Sequence, residues 1–229
     1  LNPYESRESL PGYNARKLTT FALELVPRIS RAQSMDVLSS QSNLAGYRAV
    51  IEAAHAYGKA LPMMMTAAGT VPPAKVMIMG AGVAGLQAIA TAKRLGAVVC
   101  ATDVRLAAKE QVESLGGKFV MVADEEAKQA ETSGGYAKEM SEAYKLKQAA
   151  LIADTIKGQD IVITTALIPG RKAPVLVTEE MVRSMKPGSV LLDMAVESGG
   201  NCTLSRIGEV VEVNGVKVLG VANLPSRIA

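Results

Sequence analysis

The stretch that most restricts what this chain can become is Lys75-Val76-Met77-Ile78-Met79-Gly80-Ala81-Gly82-Val83-Ala84-Gly85-Leu86. An apolar run of strand length enters Gly-x-Gly-x-x-Gly and leaves through a helix-like pattern, Gln87-Ala88-Ile89-Ala90-Thr91-Ala92-Lys93. Strand, glycines and helix in that order form the fingerprint that wraps a dinucleotide's diphosphate. Gly80 permits the tight turn, Gly82 lets the backbone approach the phosphates, and Gly85 lets helix and strand pack closely. Unpaired N–H groups and the dipole at the helix N-terminus favour the negative charge. About 20 residues on, Asp103 closes a second apolar run, Ala97-Val98-Val99-Cys100-Ala101-Thr102. A carboxylate there can accept both ribose hydroxyls of an adenosine and repel a 2′-phosphate, so NAD is expected over NADP. Arg105 pulls the other way, since a nearby arginine can hold a 2′-phosphate. The plain alternative is a tight turn between packed elements, with Asp103 an ordinary cap.

Nearly half of the 229 residues are apolar, which suffices for a substantial core, but aromatics make up 3% and tryptophan is absent. The core must therefore be built from Ala, Val, Ile, Leu and Met. A net charge of +3 with both signs scattered lacks the concentrated basic face of a nucleic-acid binder. Cys100 and Cys202 are far apart and outside any CxxC pattern, which suits reduced thiols better than a disulfide or metal pair. His55, the single histidine, lies in a helical pattern with no Cys or His partner nearby, so no metal site is expected. No segment has the length and apolarity of a membrane span, and none has a signal-peptide layout.

Residues 1–17 are polar and aperiodic and read as a loop or the tail of a preceding element. Leu18-Thr19-Thr20-Phe21-Ala22-Leu23-Glu24-Leu25 reads as a strand ended by Pro27. Tyr47, Val50, Ile51, Ala54, Tyr57 and Leu61 recur at helical spacing, and Gly69-Thr70-Val71-Pro72-Pro73 reads as a stiff linker. From Lys75 onward strands and helices alternate. Helices are expected over about 107–115, 136–157 and 178–185, with Thr178 as N-cap of the last. Strands are expected over 119–122, 160–166 and 189–195, and a final hairpin at Asn214-Gly215. Near-continuous apolar strands alternating with helices imply an α/β, Rossmann-type doubly wound parallel sheet. A partial second α/β lobe is expected to join it through the long helix. The expected division is 1–33 for the lobe remnant and 34–73 for the connecting helix and linker. Residues 74–213 would form the nucleotide domain, and 214–229 the last hairpin strand and a return to the first lobe.

In such sheets the ligand crosses the carboxyl ends of the strands. That places Asp103-Val104-Arg105 and Ala166-Leu167-Ile168-Pro169-Gly170 in reach. Leu167 and Ile168 either pack a ring of the ligand or simply close the core. Ala130-Glu131-Thr132-Ser133-Gly134-Gly135-Tyr136 reads either as a loop that closes over a nucleotide or as plain surface. Oxidising an alcohol or amine needs a proton acceptor, commonly His or Lys, and His55 has no evident partner. Hydride transfer between two nicotinamide rings needs no proton transfer, only alignment and dry surroundings. A chain whose catalytic half lies elsewhere would look the same.

Pro27-Arg28-Ile29-Ser30-Arg31-Ala32-Gln33-Ser34-Met35-Asp36, with Leu38-Ser39-Ser40 and Ala45-Gly46-Tyr47-Arg48-Ala49-Val50 after it, closely resembles the NAD(H)-binding domain of proton-translocating nicotinamide nucleotide transhydrogenase. The resemblance continues through Thr66-Ala67-Ala68-Gly69-Thr70-Val71-Pro72-Pro73-Ala74, the glycine turn and Gly134-Gly135-Tyr136-Ala137-Lys138. It then takes in Thr164-Thr165-Ala166-Leu167-Ile168-Pro169-Gly170 and Gly199-Gly200-Asn201-Cys202. It implies an α-subunit domain that holds NADH and passes hydride to NADP bound by a separate domain, while a membrane domain couples transfer to proton movement. By motif, Arg28, Gln33, Asp36 and Ser39 would contact the nicotinamide and its ribose at the reacting end, with Ile29 and Ser30 beside them. Ala81, Gly82 and Val83 would face the diphosphate, flanked by Gly80 and Gly85. Asp103, Val104 and Arg105 would face the adenosine, Gly135, Gln148 and Leu167 would complete the pocket, and Tyr136 would ride the closing loop.

The resemblance further implies a homodimer in the full-length form. It also implies a place on the cytoplasmic face of a bacterial inner membrane, or in the mitochondrial matrix, without insertion into the bilayer. The family's N-terminal lobe is longer and a helix follows its last strand, so this chain is expected to be a piece of such a subunit and inactive alone. Alanine dehydrogenase resembles the same nucleotide lobe and is the alternative, as is a non-catalytic NAD-binding module. The segment from Arg28 to Asp36 argues against alanine dehydrogenase.

Overall fold

Val76, Met77, Ile78 and Met79 are all buried in β3 (Lys75–Met79), on both faces of the strand. That is the signature of a parallel strand covered by helices on either side. The computed structural model describes residues 6–27, 29–122, 141–168 and 170–228. Around β3 it builds one seven-stranded sheet from β4 (Val98–Thr102), β5 (Lys118–Phe119), β6 (Ile161–Thr164), β7 (Val190–Asp193), β8 (Val210–Val213) and β9 (Val216–Leu219), in the order β5-β4-β3-β6-β7-β9-β8. Six strands run parallel, and β8 alone is antiparallel to its neighbour. The β8–β9 turn is Asn214-Gly215, both at positive φ (52° and 73°), the conformation that a type I′ hairpin demands. Because β9 pairs with β7, the sheet runs on past residue 213, and 214–219 belongs to it.

The two faces are distinct. One buries Val76, Ile78, Val99, Ala101, Ile161, Ile163, Val190 and Leu192 beneath α2 (Val37–Tyr57) and α3 (Val83–Arg94). The other buries Met77, Met79, Val162, Leu191 and Val218 beneath α5 (Glu142–Ile156) and the loop leading into α6 (Glu179–Arg183). Full burial of each such aliphatic side chain stabilises by about 1.5–3 kcal/mol. α2 starts where the Asp36 side chain accepts the Ser39 N–H and stops at Gly58, φ 66°. Its buried stripe is small, Gly46, Ala49, Val50 and Ala53, so α2 and α3 approach closely; a Cβ on Gly46 would overlap the Ala84 carbonyl.

Several local expectations give way. Residues 18–25 form no strand: the chain is irregular up to a 3-10 turn at Leu23–Leu25, with Phe21 78% exposed. A strand needs a partner to satisfy its backbone, and β-branched content alone supplies none. Residues 7–15, read as loop, hold a 3-10 turn (Arg7–Ser9) and a short α1 (Leu10–Ala15) that starts with Pro11 in its first turn. Within the expected linker, Gly69–Val71 is a strand, β2, paired antiparallel with β1 (Met64–Thr66). Leu61, read as the last helical contact, lies beyond Gly58, and its carbonyl accepts the Ala74 N–H instead. The strand expected over 119–122 is only Lys118–Phe119, since it has one neighbour, β4; α4 (Ala108–Ser114) precedes it. Helix α5 begins at the Ser141 cap, and the expected residues 136–140 lie outside the described ones.

Candidate dinucleotide site

The sheet order reverses between β3 and β6, so their carboxyl ends open a crevice of the kind in which α/β sheets bind ligands. Gly80 turns out of β3 at φ 107° and donates its N–H to the Thr102 carbonyl at the end of β4, at 2.8 Å. A side chain on Gly85 would overlap the Gly80 carbonyl oxygen, which is why the third glycine is there. Gly82 is the N-cap of α3 and offers no side chain to cap it, and a Cβ built there would meet nothing within 4 Å. Among the described residues, the first turn of α3, beginning at Val83 (39% exposed), therefore opens on space with no side chain capping its N–H groups. Such a helix start, with free space in front of its N–H groups, has the chemistry that suits a diphosphate.

Asp103 is tied in more tightly than its sequence position suggested. Its Oδ2 accepts the Ala81 N–H at 2.8 Å and an Arg105 Nη2–H at 2.9 Å, while Oδ1 accepts the Arg105 backbone N–H and Nε–H, each at 2.9 Å. The Ala81 N–H thus points at Asp103, and the Arg105 guanidinium covers both carboxylate oxygens. The fork is bidentate and mostly shielded, with side-chain exposures of 8% for Asp103 and 17% for Arg105. Val104 packs against the buried Tyr144 of α5, and Gln148, half-buried, follows one helical turn later on that face. On the other side of the crevice Thr165 donates to the Gly80 carbonyl at 3.1 Å, and Leu167 (50% exposed) and Ile168 (43% exposed) follow.

The structure thus brings Gly80, Ala81, Gly82, Val83, Gly85, Asp103, Val104 and Arg105 to one crevice, with Leu167 on its far bank. The segment before α2 is a 3-10 turn (Ser30–Met35) preceded by an exposed Ile29. In it the Gln33 carbonyl accepts the Asp36 N–H. Asp36 spends its carboxylate on the helix start, accepting the Ser39 N–H at 2.9 Å and the Ser39 hydroxyl at 2.6 Å. Ser30, Gln33, Asp36 and Ser39 are therefore gathered at one end of α2, about 15 Å of helix before its crossing with α3 at Gly46. Arg28, Gly135 and Tyr136 lie outside the described residues.

Sequence reasoning missed a buried network beside the crevice. Asp193, the last residue of β7, is wholly buried and accepts five donors: the Thr164 and Ser205 hydroxyls and the N–H groups of Ala195, Asn201 and Cys202. The available signal was an acid ending a run of apolar strand residues, followed by the paired glycines Gly199 and Gly200. Neither cysteine is activated. Burial pushes the Cys100 thiol up to about 11 and raises that of Cys202.

A parallel sheet with a glycine turn at its switch point, an uncapped helix start and a carboxylate closing the next strand defines a dinucleotide-binding α/β domain of the Rossmann type. More narrowly, the chain belongs to the alanine dehydrogenase/PNT family, whose C-terminal domain matches residues 49–229 and whose N-terminal domain matches residues 1–45. It is 65% identical over 229 residues to an NAD(P) transhydrogenase subunit alpha polypeptide of Rhodospirillum rubrum, covering 100% of this chain and 60% of that protein. A transhydrogenase structure from Sinorhizobium meliloti matches with a TM-score of 0.90 and 62% identity, covering 100% of this chain and 61% of that one. Alanine dehydrogenase of Methanococcus maripaludis is more distant, at 32% over 222 residues, covering 93% of this chain and 53% of the relative. The chain thus spans about three fifths of the length of these two transhydrogenase relatives.

Proposed function

We propose that this chain is the NAD(H)-holding portion of a transhydrogenase α subunit, which presents NADH to NADP+ carried by a separate domain. The observation that supports it most directly is the glycine turn of β3 and α3 tied to the Asp103 carboxylate, in a chain so close in sequence to a transhydrogenase subunit. The cradle at Gly82 takes the diphosphate, and Asp103 with Arg105 takes the adenosine ribose. The other half of the dinucleotide then extends across β6 toward Leu167 and the residues gathered at the start of α2. Arg28, Gln33, Asp36 and Ser39 are the residues proposed to orient the reacting ring, with Ile29 and Ser30 beside them. Gly135, Tyr136 and Gln148 are proposed to complete the pocket. The bound nicotinamide supplies the hydride; the chain's own task is to align it and keep water away.

The NADP(H)-binding domain and a membrane domain that couples transfer to protons are the proposed partners. The full-length subunit is proposed to be a homodimer on the cytoplasmic or matrix face of its membrane. Among the described residues no helix is long and apolar enough to cross a bilayer, which suits a peripheral role. The test is reconstitution of the full-length subunit with an NADP-binding domain, following hydride transfer from NADH to NADP+. Turnover is expected. Alanine-dependent reduction of NAD+ with no transfer between nucleotides would move the assignment to alanine dehydrogenase, and NADH binding with neither activity would mark a non-catalytic module.

A further inference from the structure

The loop after β6 is held by a residue that the nucleotide fingerprint does not include. Asn201 is fully buried, and its primary amide grips the backbone of Ala166 on both sides. Oδ1 accepts the Ala166 N–H at 3.1 Å, while Nδ2 donates to the Ala166 carbonyl at 2.9 Å and to the Pro174 carbonyl at 2.8 Å. Asn201 is fixed in turn, because its own N–H donates to Asp193 Oδ2 at 2.8 Å. Gly200 brings it there at φ 81°, where a Cβ would stand 3.0 Å from that same oxygen. Thr164, two residues before Ala166, donates its hydroxyl to Asp193 Oδ1 at 3.1 Å. The bonds close a ring from Asp193 through Asn201, Ala166 and Thr164 back to Asp193.

A buried ring of this kind rigidifies what it surrounds. What leaves it is the pair Leu167 and Ile168, two large apolar side chains held half in water. Their location follows from the sheet. Asp103 marks the adenosine side at β4, Gly82 marks the diphosphate, and the rest of a dinucleotide must cross to the carboxyl end of β6, where Thr165 to Ile168 stand. Removing apolar surface from water is favourable, and a flat ring laid on this pair would collect that gain.

We propose that Asn201 is a positioning residue for the nicotinamide half of the dinucleotide: anchored by Asp193, it fixes Ala166 so that Leu167 and Ile168 form a rigid apolar rest for the ring. The proposal rests on the NAD(H) reading above and deepens it. Asn201 touches no ligand; it acts through the loop.

The test compares two ligands on the full-length subunit. ADP-ribose shares the adenosine, diphosphate and second ribose of NADH but lacks the nicotinamide. For Asn201→Ala the NADH Kd should rise about tenfold and the ADP-ribose Kd should change less than about twofold. Single-turnover hydride transfer should fall further, by roughly 10- to 100-fold, because misplacement of a reacting ring is penalised more heavily than its binding. Asn201→Asp, which sets a carboxylate against the Ala166 and Pro174 carbonyls, should be worse than Asn201→Ala. The variant Leu167→Ala/Ile168→Ala changes only half-exposed side chains and should show the same asymmetry. Adding Asn201→Ala to it should change NADH affinity by less than about twofold more, since both act through one contact. Equal weakening of both ligands, or no change in either, would overturn the proposal. Should Asn201→Ala fail to fold, the Leu167→Ala/Ile168→Ala variant decides alone, and unchanged NADH binding and transfer there overturns it. A wild-type subunit that binds neither ligand would instead bring down the NAD(H) reading itself.

Discussion

Two aspartates end parallel strands of the same sheet at the same edge, and they are held in opposite ways. Asp103, after β4, accepts two backbone N–H groups, those of Ala81 and Arg105, and its other two bonds come from the Arg105 guanidinium. Asp193, closing β7, accepts five donors, three of them backbone N–H groups, and has no exposure at all. On the proposed reading, a guanidinium on a long side chain can swing aside for ribose hydroxyls. Three buried backbone N–H groups cannot be exchanged for anything. The difference teaches that a carboxylate at the ligand edge of such a sheet is not by position alone a ligand-binding group. What decides is whether its partners can leave.

The largest expected effect breaks this comparison most directly. Asp193→Ala leaves the N–H groups of Ala195, Asn201 and Cys202 buried and unpaired, each a loss on the order of 1–3 kcal/mol. Denaturant unfolding should register a total of at least about 3 kcal/mol, or failure to fold. Asp103→Ala releases two backbone N–H groups and a guanidinium that can turn toward water, and should lose less, on the order of 1–2 kcal/mol. If the two variants unfold alike, the distinction drawn between the two sites is wrong.

Ligand selectivity should reverse the ranking. Asp103→Ala is expected to weaken NADH roughly 10-fold and to narrow the gap between NADH and NADPH, because the carboxylate no longer repels a 2′-phosphate and Arg105 remains nearby. Isothermal titration with the two nucleotides measures both. Equal affinities in the unaltered protein would reject the NAD assignment. Arg105→Ala gives a smaller and more telling result. Removing the fork's cation leaves Asp103 bound to the backbone N–H groups of residues 81 and 105 but without the guanidinium as a competitor for ribose, so NADH affinity should change by less than about threefold. A large loss would show that the guanidinium, rather than the carboxylate, grips the adenosine.

The nucleotide half of the fold was open to reading because its signals are local. Buried strands such as Lys75–Met79 and Ile161–Thr164 are apolar throughout most of their length, the three glycines meet steric demands of a single turn, and Asn214-Gly215 specifies its hairpin unaided. Residues 18–25 misled for the opposite reason: strand content is visible in sequence, but the neighbour that would make it a strand is not. β1 and β2 were hidden because Gly69 and the prolines after Val71 resemble a linker, while the pairing of Met64 with Val71 depends on chain reversal at Ala67-Ala68. At the site, the spacing of Asp103 from the glycines was legible, but its capture by Arg105 was not, since a two-residue separation does not say where a guanidinium folds back. Asp193 and Asn201 were invisible as a pair because their hydrogen bonds reach across β6 and two loops. Only the acid at the end of an apolar strand hinted that something had to satisfy it.

Each aspartate has a thiol in its neighbourhood, and the thiols sharpen the comparison by the smallest effect. Cys100 lies on β4, three residues before Asp103, half-buried, with its Sγ 3.8 Å from Gln159 Oε1. Cys202 is buried and donates its backbone N–H to Asp193. At pH 8 a small alkylating reagent should leave Cys202 untouched and modify Cys100 only slowly, because both hold their protons in the folded state. The pH dependence has a definite sign. Burial pushes the Cys100 thiol up to about 11, so between its ordinary range near 9.0 and that value the unfolded chain gives up a proton that the native chain keeps. Stability from this group is complete below pH 9, falls as pH rises toward 11, and is lost beyond it. The expected loss is on the order of 2–3 kcal/mol. Cys100→Ala removes the titration, so its stability relative to the unaltered chain should improve over that interval. A stability difference that stays flat from neutral pH to 11 would mean that solvent reaches the Cys100 thiol freely, and that the β4 side of the sheet is more open than its shielded Asp103 fork suggests.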